Sequence, residues 1–93
     1  MRERLIELLK ELSYERKRVV LASGLESDFY VDGRQTTLNA EGAYLIGHLV
    51  HAALKPEVKG VGGLVVGADP ISAAVAATSF GLGRPVHAFL VRK

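Results

Sequence analysis

Val61-Gly62-Gly63-Leu64-Val65-Val66-Gly67-Ala68-Asp69-Pro70-Ile71 is the stretch that decides the fold of this chain. Its first six residues are apolar or glycine with no charge among them, as expected of a strand covered on both faces in a parallel sheet. Gly67-Ala68 then turns the chain, Asp69 can cap a helix and Pro70 can start it, because proline lacks the N–H that the first turn leaves unpaired. The helix is predicted over Ile71 to about Leu82, with Gly81, Gly83 and Pro85 to stop it. Val86-His87-Ala88-Phe89-Leu90-Val91 repeats the buried-strand pattern. Strand, turn, helix and strand within about 30 residues make a βαβ unit, whose crossover is expected to be right-handed.

Working upstream, Asn39 can accept an orphan backbone N–H and so cap a helix, and Ala43, Ile46, Leu49, Val50, Ala53 and Leu54 recur at helical spacing until Pro56. Gly42 and Gly47 weaken this helix slightly and permit close packing. At the N-terminus, Leu5, Leu8, Leu9 and Leu12 fall at i, i+3, i+4 and i+7 among Arg2, Arg4, Glu7, Lys10 and Glu11, which predicts an amphipathic helix over 1–12. Glu15-Arg16-Lys17-Arg18 reads as a solvated connector. Val19-Val20-Leu21-Ala22 and Phe29-Tyr30-Val31 are short strand candidates, and Ser23-Gly24-Leu25-Glu26-Ser27 between them suits a hairpin loop, so the two are expected to pair. The chain therefore reads as one domain over 1–93, with a helix and hairpin over 1–38 and the start of an α/β core over 39–93.

The 93 residues are 48% hydrophobic and 24% charged, a globular composition that excludes a disordered tail or a fibrous repeat. No apolar run approaches the ~18 to 20 residues that cross a bilayer, so no membrane partner is expected. The lack of cysteine removes disulfide and Cys-metal frameworks, and Met1 opens directly into a charged segment, so a cytoplasmic setting is expected. Twelve Lys+Arg against ten Asp+Glu leave a net charge of +2, and the basic residues are mostly interleaved with acids. Nucleic acid is not the expected partner, since three Phe and three Tyr in mainly apolar runs build no stacking platform on a basic face.

Ligands of open parallel sheets gather at the carboxyl ends of strands, where helix N-termini present unpaired N–H groups. Gly67-Ala68-Asp69-Pro70 occupies that position, and its small residues would let an anion such as phosphate approach. The same four residues also read as an ordinary tight turn with Asp69 as helix cap. They belong to no G-x-G-x-x-G fingerprint, because Val65 stands where the third glycine is required, and to no Walker loop, because Ala68-Asp69 replaces Lys-Ser/Thr. His48, His51 and His87 match no H-E-x-x-H pattern, and His48 and His51 read as helix-surface residues. Ser23, Ser27, Ser72 and Ser79 lack the nucleophile elbow of serine hydrolases. Arg92-Lys93, at the carboxyl end of a parallel strand, is either a solvated pair or an anion site.

Leu21-Ala22-Ser23-Gly24, Ser27-Asp28-Phe29-Tyr30-Val31-Asp32-Gly33-Arg34, Gly67-Ala68-Asp69-Pro70-Ile71 and Val91-Arg92-Lys93 together resemble, in order and over nearly the whole chain, the N-terminal half of an orotate phosphoribosyltransferase. The resemblance implies an α/β, type I phosphoribosyltransferase fold, truncated: a Rossmann-like parallel sheet with an N-terminal helix and a β-hairpin hood. It implies a homodimer that transfers ribose 5-phosphate from phosphoribosyl pyrophosphate to orotate, with Mg2+, giving orotidine 5′-monophosphate and pyrophosphate in pyrimidine biosynthesis. By position, Ser23 and Gly24 would lie near the pyrimidine and ribose C1, and Tyr30 and Val31 would border orotate. Gly67, Ala68, Asp69 and Pro70 would meet pyrophosphate, and Arg92 and Lys93 would begin the segment that grips it.

Two departures accompany the match. Ala22 stands where many members of the family carry a lysine, and the family's mobile catalytic loop and ribose-phosphate signature would fall beyond residue 93. The resemblance thus implies no catalytic residue and no metal ligand among these 93 residues, which by themselves are expected to be inactive. The alternative is a catalytically inert phosphoribosyltransferase-like module for binding or dimerisation.

Overall fold

The computed structural model describes residues 1–93. In chain order it contains α1 (Arg2–Leu8), continued by a π-helical stretch over Leu9–Ser13, then β1 (Tyr14–Glu15), β2 (Val19–Val20), β3 (Glu26–Ser27), β4 (Tyr30–Val31), α2 (Arg34–Thr37), α3 (Ala40–Ala53), β5 (Gly60–Leu64), α4 (Asp69–Gly81) and β6 (His87–Val91).

The βαβ unit is present: β5 and β6 run parallel, in register from Gly60 opposite His87 to Leu64 opposite Val91. β5 is shorter than its apolar run, because Val65 and Val66 already belong to the turn, where their shared peptide bond is cis. The expectation of cover on both faces is corrected. α4 packs on the two strands and α3 packs on α4, all on one side. Val61 and Gly63 are half-buried there, whereas Leu64, Phe89 and Val91 stay exposed. On that open side the Phe89 ring lies against Gly60 and Gly62, in space that a Cβ on Gly62 would claim.

α3 starts as expected, with Asn39 Oδ1 accepting from the Gly42 N–H at 3.0 Å. Its glycines are contact points. A Cβ on Gly42 would collide with the Thr36 carbonyl, and one on Gly47 would reach 2.8 Å from the Ala74 carbonyl oxygen of α4. The start of α4 corrects a detail: Ala68 occupies the cap position and Asp69 is the first helical residue, making no side-chain capping bond. Pro70 follows within the first turn, which its fixed φ and missing N–H suit. Gly83 ends the element at φ +77°, a conformation that costs glycine little.

His51 is also corrected, from helix surface to core, at 5% exposure. Its Nε2 donates to the Arg84 carbonyl at 3.0 Å, and the Arg84 guanidinium donates to the carbonyls of His51 (2.7 Å) and Leu54 (3.3 Å). The last carbonyls of a helix lack intrahelical partners and carry its negative dipole end, so a cation is well placed there. His48 is half-buried beside Tyr44, ring centroids 4.4 Å apart.

At the N-terminus the α-helix ends at Leu8 and widens into the π-helical stretch, where the spacing predicts an unbroken α-helix to residue 12. The expected hairpin pairs differently. Val19 and Val20 pair with Ser27 and Glu26, while Tyr30 and Val31 cross to Glu15 and Tyr14. The cause is a tighter turn than expected: Leu21 N–H bonds the Leu25 carbonyl at 2.7 Å, Gly24 N–H bonds the Leu21 carbonyl, and Gly24 sits at φ +87°. Ser27 is thereby drawn into a strand, and its hydroxyl, bonded to the Phe29 carbonyl at 2.9 Å, bends the chain toward β1. Glu15, expected in the connector, is thus a strand residue and pairs with Lys17 at 2.8 Å.

Arg4 clasps α1 to α3, donating to both carboxylate oxygens of Glu41 at 2.7 and 3.0 Å. Those bonds hold the Glu41 carboxyl below its ordinary value near 4.5. A depressed carboxylate stabilises the fold above its unfolded pKa, and the contribution is lost as pH falls through the folded value. The melting temperatures of Glu41→Gln and of the unaltered protein should therefore differ at pH 7 and converge in acid. A gap that persists unchanged to about pH 2, well under the carboxylate range, would show that the clasp does not act through charge.

Candidate functional site

The hood and the α/β core meet at a cleft of about 390 Å³, with Tyr30, Arg34 and Thr37 on one wall and Val66, Gly67 and Ile71 on the other. Tyr30 is placed by its pairing with Glu15, and the Lys17 ammonium sits 5.4 Å from its ring centroid. A hydrogen bond to Glu15 raises the Lys17 pKa, so this cation stays charged across the neutral range.

Asp32 lines the cleft and organises the short α2. Its backbone N–H donates to the Ser13 carbonyl at 2.9 Å, which ties the hood to the end of the π-helical stretch. Its carboxylate accepts from Gln35 Nε2 at 3.2 Å and from the Arg34 N–H at 3.3 Å, with Arg34 Nε 3.6 Å away. The Gln35 bond, helped by Arg34, holds this carboxyl below the usual range. Thr36 is fully buried, its hydroxyl 2.5 Å from that of Ser13. Thr37 is 9% exposed, and its hydroxyl oxygen is buried without a partner.

On the opposite wall, nothing lies within 4 Å of where a Cβ on Gly67 would stand, so a ligand atom can come up to the backbone. Asp69, two residues on, has its Oδ1 buried and unpaired.

The structure therefore brings together Tyr30 and Gly67, with Ala68, Asp69 and Pro70 following in the same turn and first helical residues. It does not bring Ser23 and Gly24 into the cleft; they lie at the tip of the β2–β3 hairpin. Val31 is exposed beside Tyr30 and does not line the cleft. Arg92 and Lys93 are exposed just past β6, next to the turn, since Val65 N–H donates to the Val91 carbonyl at 3.0 Å. Ala22 shares a neighbouring cavity of about 470 Å³ with Lys17 and Tyr30, so a cation faces that cavity although position 22 has none. Sequence reasoning gave no role to Asp32, Arg34 or Thr37. An aspartate two residues before an arginine N–H is an Asx-turn signal that could have marked α2.

No family model matches the chain. It is 52% identical, over 94 residues, to an orotate phosphoribosyltransferase of Sorangium cellulosum, covering 99% of this chain and 49% of that protein. It is 40% identical over 93 residues to the orotate phosphoribosyltransferase of a Nostoc species, covering 45% of it. The chain is a homologue of the orotate phosphoribosyltransferases. It spans about half the length of the curated relatives it matches. A crystal structure of the Mycobacterium tuberculosis orotate phosphoribosyltransferase in complex with Fe(III) dicitrate matches with a TM-score of 0.87 at 43% identity, over 99% of this chain and 54% of that one. The same enzyme in complex with 5-phospho-α-D-ribosyl 1-diphosphate matches at 0.73 and 34%, over 99% and 45%. The α/β chain with its parallel strand pair thus has the type I phosphoribosyltransferase fold of the orotate phosphoribosyltransferases over the half of their length that it spans.

Proposed function

We propose that a protein carrying this segment together with the remaining half of its relatives' length transfers ribose 5-phosphate from phosphoribosyl pyrophosphate to orotate, releasing pyrophosphate and forming orotidine 5′-monophosphate. The observation that carries the reading is the cleft in which Tyr30 faces the Gly67 turn. A planar base can lie against the tyrosine ring while phosphates approach the open backbone at Gly67. Loss of pyrophosphate develops positive charge on the ribose and negative charge on the leaving group, and Arg92 and Lys93 are suited to stabilise the latter. Such a displacement needs no side-chain nucleophile.

The residues present fit a magnesium ion that arrives with substrate. No three His, Asp or Glu side chains cluster into a protein cage, while Asp69 offers one unpaired carboxylate oxygen at the turn. Magnesium typically takes one or two carboxylates plus substrate phosphates, and when bound it would neutralise phosphate oxygens that the basic pair does not reach. A homodimer working in the cytoplasm is part of the same proposal and rests on the family resemblance.

An ultraviolet assay tests it: the protein with both halves should consume orotate only when phosphoribosyl pyrophosphate and magnesium are present. Turnover of a purine base instead, or none at all, would overturn the reading, the latter in favour of an inert binding module. Residues 1–93 alone should show no turnover.

A further inference from the structure

Arg34 is the one cation among the residues that line the cleft, where it shares a wall with Tyr30 and faces the Gly67 turn. Its side chain is 60% exposed, and its guanidinium makes no hydrogen bond within the protein: the carboxylate beside it, Asp32 Oδ1, stands 3.6 Å from Nε, beyond hydrogen-bond length. Other arginines are committed. Arg4 donates to Glu41 and Glu7, Arg18 to Glu26, and Arg84 to the carbonyls that end α3. Asp32 is engaged by Gln35 Nε2 and by the Arg34 backbone N–H, and its ion pair with Nε leaves the terminal nitrogens of the fork without an acceptor.

We infer that Arg34 is a specificity-determining residue whose guanidinium receives the carboxylate of the planar base held against Tyr30. This rests on the proposed function and extends it to a residue that has no part in it so far. Two parallel N–H groups of a guanidinium match the two oxygens of a carboxylate, a fit that a neutral ring edge does not offer. Tyr30 and Arg34 stand on one wall and the Gly67 turn on the other, so the anionic group that meets Arg34 is on the base, while the phosphates approach the open backbone opposite. Arg34 also borders a second cavity, of about 460 Å³, with Leu12 and Leu38. That cavity has no aromatic ring for a base to lie against, whereas the cleft, about 390 Å³, has Tyr30 and room for a single ring. Uracil is the same ring without the carboxylate, so the preference for the acid over the neutral base falls to Arg34.

Calorimetric titration of the protein with both halves tests it. Arg34→Gln should weaken orotate binding roughly 10- to 150-fold, the range for hydrogen bonds to a charged group, while phosphoribosyl pyrophosphate changes by less than about twofold. Arg34→Lys should lose less, because the ammonium keeps the charge but not the fork. Uracil should distinguish wild type from Arg34→Gln by less than about twofold, since it gives the guanidinium nothing to grip. The ligand-free melting temperature should move by no more than about 2 °C, because an exposed ion pair adds little to stability. Equal losses for orotate and uracil, or failure of Arg34→Gln to fold, would make Arg34 a residue that shapes the cleft and overturn the inference. An unchanged orotate affinity, or a loss confined to phosphoribosyl pyrophosphate, overturns it while leaving the proposed function standing. If the wild-type protein does not turn over orotate, the proposed function falls first and this inference falls with it.

Discussion

Gly47→Ala should destabilise the protein by about 2 kcal/mol and lower its melting temperature by roughly 10 °C, the scale for a domain of this size. The added methyl would stand 2.8 Å from the Ala74 carbonyl oxygen and against the Thr78 hydroxyl. Thr78 can rotate away, but the carbonyl is helix backbone and gives way only if α3 and α4 move apart. Overpacking of this kind costs about 1 to 3 kcal/mol, and the separation would also loosen Leu45 and the wholly buried Val75. Alanine's better helix propensity returns at most ~1 kcal/mol. Gly81→Ala is the matched control, since open space surrounds its Cβ position at the end of α4. Thermal unfolding of both variants checks the result: Gly47→Ala melting with Gly81→Ala would mean that the helices are not in close contact there.

Arg92→Ala, in a protein with both halves, should weaken phosphoribosyl pyrophosphate binding by about 1.5 to 3 kcal/mol, roughly 10- to 150-fold, with little change for orotate. The guanidinium fork can grip two phosphate oxygens at once, which the Lys93 ammonium cannot. Its location supports the asymmetry between substrates: the bond from Val65 N–H to the Val91 carbonyl sets Arg92 beside the turn, while Tyr30 forms the opposite wall. Titration of each ligand separately distinguishes the cases. Equal losses for both ligands would make Arg92 a structural residue, and no loss would make it a solvated one.

The parts of this fold legible in the sequence are those whose signals are local. Asn39 with its helix, the uncharged run from Val61 that supplies most of β5, and Pro70 inside the first turn of α4 each act within a few residues. The parallel pairing of β5 with β6 follows from the βαβ spacing, but the pairings among the short N-terminal strands were not legible. Val31 has Tyr14 as its partner because the turn at Leu21–Leu25 closes early, a choice that depends on hydrogen bonds among five residues. His51 looked solvated because Arg84, which buries it, is 33 residues away. In the site, Tyr30 and Gly67 were each marked by motif, but only folding shows that they share a cleft. Thr37 lay in a four-residue helix, too short for any periodicity to reveal which way its hydroxyl is left.

The anchoring of Arg84 has a consequence for the basic pair at the other end of β6. Its guanidinium grips the terminal carbonyls of α3, and two residues later Val86 N–H donates to Ser79 Oγ at 2.8 Å. From that fixed point β6 runs five residues, about 16 Å, and then delivers Arg92 and Lys93. The strand works as a ruler with its zero mark at the far edge of the molecule. Where the two cations stop is calibrated by a histidine, an arginine and a serine at the opposite end of the strand, so an error at the zero mark is carried in full to Arg92 and Lys93.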